Sequence, residues 1–272
     1  MTLRVVNGQT VTSEKVTRNA SKTFAQMRRR VQWANLVNLF RSFEGTLHPS
    51  FENRPPLTSD FNLFMGANIG LVPVYLTHSE AKQGGCVVAG YQVTRGSLPS
   101  LATEVDGSGV INSGIELGSL AIGDETTLAA FSAAVVANNE AFAYGDQISV
   151  YVARQITNTV TGVPYVKVTA SEVTLANDPE TLLVDIVADP TGFGVVGGKL
   201  ACNAAVNGAV AYVHSRKTPS GTKVSTQRFV VTNSLLATYQ SQAALDAAVT
   251  SYGGALSQQF LTPNIDDVVA PD

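Results

Sequence analysis

Near residue 85 the spacing of apolar residues changes from three-and-four to two, and this switch constrains the fold more than any other feature. Before it, Phe24, Met27, Val31 and Ala34, with Trp33, Leu36, Val37, Phe40 and Phe43, form a broad helical stripe. Thr23-Phe24-Ala25-Gln26 is a capping-box candidate at its start, and Gly45 is a candidate stop just past Glu44. Prolines at 49, 55 and 56 then forbid helix until a second one, predicted over Thr58 to Asn68. Its Phe61, Phe64, Met65 and Asn68 should face the first helix. Thr77-His78-Ser79-Glu80 predicts a third, short helix ended by Gly84-Gly85. Residues 1 to 20 read as an arm or edge strand.

After the switch, strands are predicted over Cys86–Thr94, Leu101–Val105 and Val110–Leu117, the last two joined through Asp106-Gly107-Ser108-Gly109. An alanine-rich helix over Glu125–Asn138 shows Leu128, Phe131 and Val135 on one face. Six further strands follow: Gln147–Gln155, Tyr165–Leu175, Leu182–Ala188, Phe193–Cys202, Ala209–Arg216 and Val224–Thr232. Turn-forming residues separate them, which suggests a sandwich or open barrel. A helix over Ser234–Tyr252 and an extended tail close the chain. The expected fold class is α+β: a helical basic front, a β-rich sandwich-like body with one inserted helix, a C-terminal helix and a tail. The segments are 1–85, 86–145, 146–254 and 255–272.

Charge follows the same division. Residues 1–54 carry nine Lys or Arg against three acids, a net +6, and the remaining 218 residues carry a net −9. A basic helical front on an acidic body suits a protein that docks on something, copies of itself included. Only 14% of residues are charged, so much surface is neutral and more easily tolerated when neighbours cover it. The N-terminus shows no signal-peptide pattern, and no apolar run approaches the ~20 residues that span a bilayer. A soluble protein, cytoplasmic before assembly, is expected. Cys86 and Cys202 lack metal or redox spacing and read as separate buried thiols, with a disulfide as the alternative.

Catalytic and cofactor signals are weak. Gly192-Phe193-Gly194-Val195-Val196-Gly197 matches GxGxxG, but Asp189-Pro190-Thr191 precedes it and Asn207-Gly208 breaks any following helix. A glycine-bearing strand or bulge is expected there. His48, His78 and His214 stand apart with no ligand spacing, and read as solvated loop or turn residues. No GxSxG elbow or phosphate loop occurs. No enzyme, cofactor or metal function is expected.

Arg28-Arg29-Arg30 spans roughly 200° of helix circumference, so its flanking members must border the apolar stripe. Arg29 should point outward. The readings are a solvated face whose stems cover apolar surface, a protein interface, or phosphate contacts to nucleic acid. The acidic body speaks against nucleic acid. Trp33 reads as core.

The segment from Met27-Arg-Arg-Arg-Val-Gln-Trp through Phe51-Glu-Asn-Arg resembles a family of Bacteroidota and phage-related proteins of unknown function. So do Arg95-Gly-Ser-Leu-Pro, His214-Ser-Arg-Lys, Val224-Ser-Thr-Gln-Arg and Ser251-Tyr-Gly-Gly. The resemblance implies a phage- or mobile-element-associated protein and carries no catalytic residue.

The leading expectation is a structural assembly protein, such as a head, neck or tail-ring subunit of a virion. Lys22, Arg28, Arg29, Arg30 and Arg41 would form its interface, with partners among its own copies and other structural proteins. One alternative is a β-sandwich that binds a glycan or protein through Tyr165, Phe193 and Tyr212. Another is a nucleic-acid contact through the basic helix. No membrane partner is expected.

Overall fold

The computed structural model describes residues 2–6, 9–13, 23–43, 46, 51, 52 and 54–253. Lys22, Gly45, His48 and the expected tail lie outside them. In chain order the front comprises β1 (Thr2–Val6), β2 (Gln9–Ser13), α1 (Phe24–Ser42), α2 (Asp60–Asn68) and α3 (His78–Lys82). Then come β3 (Gln92–Thr94), β4 (Thr103–Val105), β5 (Ile111–Glu116), α4 (Leu128–Asn138), β6 (Gln147–Thr157), β7 (Pro164–Thr174) and α5 (Leu183–Ile186). The chain continues through β8 (Gly194–Val196), β9 (Lys199–Ala201), β10 (Gly208–Thr218), β11 (Gly221–Val224), β12 (Gln227–Arg228) and β13 (Val230–Val231). Two helices follow, α6 (Leu236–Gln240) and α7 (Gln242–Ser251).

The fold is mixed α+β with a β-rich body, and its centre is an antiparallel sheet ordered β11-β10-β6-β7, with β13 also pairing β10. Strands β6 and β10 are buried along most of their length because both faces of this sheet are covered. On one face Tyr151, Ala153, Ala209, Ala211 and Val213 pack against Leu36, Leu39, Phe43 and Phe64 of the helical layer. On the other, Ile148, Val150, Val152, Val210 and Tyr212 meet a second sheet, β4-β5-β9-β8, and the Leu128, Phe131 and Val135 face of α4. The result is helices, sheet, then a sheet-and-helix layer. Segments 86–145 and 146–254 share this second sheet, since β5 pairs with β9, and share one core.

The helical layer forms where the periodicity placed it. Thr23 caps α1 by accepting from the Gln26 amide, and Ser59 caps α2 from Asn62. Phe40 sits edge-on to Phe61 at 5.3 Å, and Phe43 meets both Phe64 and Tyr151, tying helices to sheet. The Thr77–Glu80 capping box is complete. A smaller cluster of Met27, Val31 and Tyr75 against Leu245, Ala248 and Val249 fixes the start of α1 on α7.

Five expectations on the body are corrected, the first being Val224–Thr232, which is not one strand but the end of β11 followed by β12 on β3 and β13 on β10. Cys86–Thr94 is strand only at its end: residues 86–89 are fully buried but join no ladder. Most of their backbone groups are instead satisfied by amide side chains, while the Cys86 N–H donates to the Pro164 carbonyl. Asn35 accepts from the Val87 N–H and donates to its carbonyl, and Gln155 accepts from Val88 N–H and donates to the Cys86 carbonyl. Asn233 donates to the Val88 carbonyl, and Asn68 brackets Gln92 in the same way as Asn35 brackets Val87. Residues 182–188, expected as strand, hold the short helix α5, whose first turn is pinned by the bond from Leu183 N–H to the Thr126 carbonyl. Residues 193–202 form a hairpin rather than one strand, because Gly197 and Gly198 both adopt positive φ, as a two-residue turn requires. This hairpin is also what the GxGxxG match becomes. The closing helix breaks at Ser241, which is extended and caps α7 by accepting from the Ala244 amide.

Within residues 1–20, expected as an arm or edge strand, Thr2–Val6 and Gln9–Ser13 pair antiparallel. Asp106 fastens the turn between β4 and β5 by accepting from the Ser108 and Val110 amides. Both cysteines are free and buried, and burial pushes the Cys86 thiol up to about 12.

Candidate functional site: the arginine face of the first helix

Helix α1 carries four arginines and no acid. Its buried face runs through Met27, Val31, Gln32, Asn35, Leu36, Asn38 and Leu39, which leaves Arg28, Arg29 and Arg30 all exposed. None of the three forms an ion pair or side-chain hydrogen bond among the described residues. They also sit toward the positive end of the helix, where the macrodipole favours acids. Helix stability therefore does not explain them.

Arg29 does not point straight outward. It lies over Gly70, where an added Cβ would come within 3.1 Å of its Nη1, and Gly70 holds a φ of 84° that favours glycine. With Phe24, Ala25, Arg28 and Gln32 these residues line a depression of about 340 Å³. Arg29 and Arg30 border a second, shallow one with Ala25 and Gln26.

Apolar surface lies beside the arginines. Trp33, expected in the core, is 46% exposed and rests edge-on against Phe61 at 6.1 Å. Leu71, next to Gly70, is exposed. The buried face of the helix holds Asn35 and Asn38, one position to either side of Leu36 and Val37, with bonds to residues 81–91. Sequence reasoning missed those amides. Their signal was a helix with two asparagines at the spacing of its apolar stripe.

The structure brings Arg28, Arg29 and Arg30 together and leaves Arg41 apart, roughly 18 Å along the axis. Arg41 is exposed in the last turn, where a cation complements the helix carbonyls.

The other chemically capable group is buried. His214, expected in a solvated turn, is 0% exposed at the middle of β10. Its Nε2–H donates to Asp146 Oδ2 at 2.8 Å, and its ring stacks on Phe142 at 4.0 Å. Arg216 grips the same carboxylate through Nε and Nη2, each at 2.6 Å, and the Ala143 amide adds a bond at 2.9 Å. Burial pulls His214 below the usual histidine range despite the nearby carboxylate. Burial alone would raise Asp146, but Arg216, Ala143 and His214 together hold it below the usual carboxylate range. The Nδ1 of His214 is buried without a partner. A ring enclosed by Phe142 and the sheet cannot reach a substrate, so this cluster anchors the fold. Among the described residues, no group of three or more His, Cys, Asp or Glu side chains could hold a metal ion. Nor is any helix among them long and apolar enough to cross a membrane.

The three aromatics named for a sandwich binding surface do not form one. Tyr165 is 40% exposed, but Phe193 and Tyr212 are buried in the core between the sheets. No family model matches the chain, and no curated protein or solved structure matches it either.

Proposed function

We propose that this chain is a non-enzymatic structural protein that assembles through the arginine face of α1. The observation that carries the reading is Arg28, Arg29 and Arg30, without partners among the described residues, beside a half-exposed Trp33 and near the exposed Leu71 that follows Gly70. Tryptophan and arginine are the side chains that most often anchor protein interfaces. Three unpaired guanidinium groups favour an acidic partner surface. Copies of the same chain and other structural proteins are the partners that this reading implies. A virion head, neck or tail-ring subunit, cytoplasmic before assembly, is the specific form suggested by the phage-related resemblance.

The test is Arg28→Glu/Arg29→Glu/Arg30→Glu. All three side chains are exposed, so the variant is expected to fold with an unchanged circular dichroism spectrum and to lose the assembly of the natural chain on a sizing column. Assembly that survives the triple change removes the role given to these arginines.

A second reading has one observation in its favour. Trp33 beside three arginines offers phosphate contacts next to a stacking ring. It predicts retention on immobilised DNA that falls steeply with salt.

A further inference from the structure

An apolar groove of about 190 Å³ lies on the far side of the central sheet from α1. Ile122, Leu183, Val187, Pro190 and Phe193 line it, and Val184 at its edge is 46% exposed. Leu183, Val187 and Phe193 belong to the core between the two sheets, which places the groove opposite the helical layer. Its rim is acidic. Asp124 lines it, Glu125 follows Asp124, and Asp185 follows Val184; all three are exposed and form no ion pair among the described residues. Lys199, five residues beyond Gly194, is paired with Glu116, and Arg154 is bound to Asp189 and Thr191. The groove thus offers an apolar floor with one unpaired carboxylate lining it and two more on exposed residues next to lining ones. The arginine face offers the converse, a half-exposed tryptophan with three unpaired guanidinium groups.

We propose that the arginine face of one copy docks on the acid-rimmed groove of the next, head to tail. The inference rests on the assembly reading and names the partner surface within it. Charge complementarity identifies the occupant: each surface lacks partners among the described residues, and the two are opposite in sign, equal in number of charges and alike in carrying an exposed apolar side chain. Because the surfaces are different and lie on opposite faces, the contact is heterologous. Repeating it generates a ring when the rotation closes and a filament when it does not.

The test compares two full-length variants by light scattering behind a sizing column. One reverses the helix face, as Arg28→Glu/Arg29→Glu/Arg30→Glu. The other reverses the rim, as Asp124→Lys/Glu125→Lys/Asp185→Lys. Each alone is expected to weaken self-association by about 100-fold or more, because like charges then face each other. An equimolar mixture is expected to regain mass above the monomer, since each variant retains the native surface that the other has lost.

Loss of assembly in the helix variant with natural assembly in the rim variant would overturn the groove as partner and leave the assembly reading standing. Natural assembly in both would overturn both readings, as would a natural chain that is monomeric throughout. A mixture that stays monomeric would overturn the head-to-tail pairing. Retention of the natural chain on DNA, lost in the helix variant alone, would assign the arginines to nucleic acid instead. If either reversed surface fails to fold, as judged by circular dichroism, Trp33→Ala and Val184→Asp replace it, and the outcomes are read in the same way.

Discussion

At Asp146 a histidine, an arginine and a backbone amide converge on one buried carboxylate. The carboxylate comes from the start of β6 and its two side-chain partners from β10, so the group clamps the paired central strands. Its protonation has a definite consequence for stability. His214 is held below its unfolded value, so on acidification the unfolded chain takes up this proton first. Stability should be undiminished above about pH 6.5 and should fall as pH drops below that value. Asp146 acts further into acid, because its contribution is lost only as pH falls through its lowered folded value. Urea unfolding between neutral and mildly acid pH is expected to show this slope. His214→Gln keeps a donor for Asp146 without a titrating ring and should flatten it; an equal slope in the variant would mean that His214 is not its source. Strand parity could have revealed the burial of this residue. Val210, Tyr212 and His214 alternate onto one face of β10, and a histidine in register with two core residues shares their surroundings.

Elements followed the sequence pattern where local physics decides them and departed where tertiary contacts do. The caps at Thr23, Ser59, Thr77 and Thr127, the Asp106 turn and the apolar faces of α2 and α4 all depend on residues within a few positions of one another. The segment at 86–89 does not. Its apolar residues suit a strand, yet its hydrogen bonds go to amides more than 50 residues away, and only the folded chain shows that they substitute for a neighbouring strand. This arrangement makes Asn35 a test of the account. Asn35→Leu matches the helix pattern better and would raise its apolar content, but it leaves the Val87 N–H and carbonyl buried and unpaired. The expected outcome in urea unfolding is a loss of about 2–3 kcal/mol. A neutral or stabilising effect would show that these amides are incidental. The break at Ser241 and the helix at 183–186 escaped notice for a related reason, because each is set by a single capping or bridging contact within an otherwise periodic stretch.

On the scale of the molecule, part of the charge division seen along the chain reappears at two separate surfaces. Three of the arginines in residues 1–54, Arg28, Arg29 and Arg30, cluster on the outside of the helical layer. Part of the acidity of the remainder borders the groove beyond the second core. The α+β architecture and the location of the arginine face were readable, since an apolar helical stripe determines which side is left over. The groove was not, because it combines residues 122–124, 183–190 and 193–203, which only the pairing of β5 with β9 and the Thr127–Leu182 bridge bring together. Assembly through the contact proposed between these two surfaces has a simple solution signature. The most direct test is the solution mass of the natural chain at two concentrations and at low and high salt. A mass that is a multiple of 28.6 kDa, rising with concentration and falling with salt, is the predicted result. A 28.6 kDa monomer under all four conditions would contradict it.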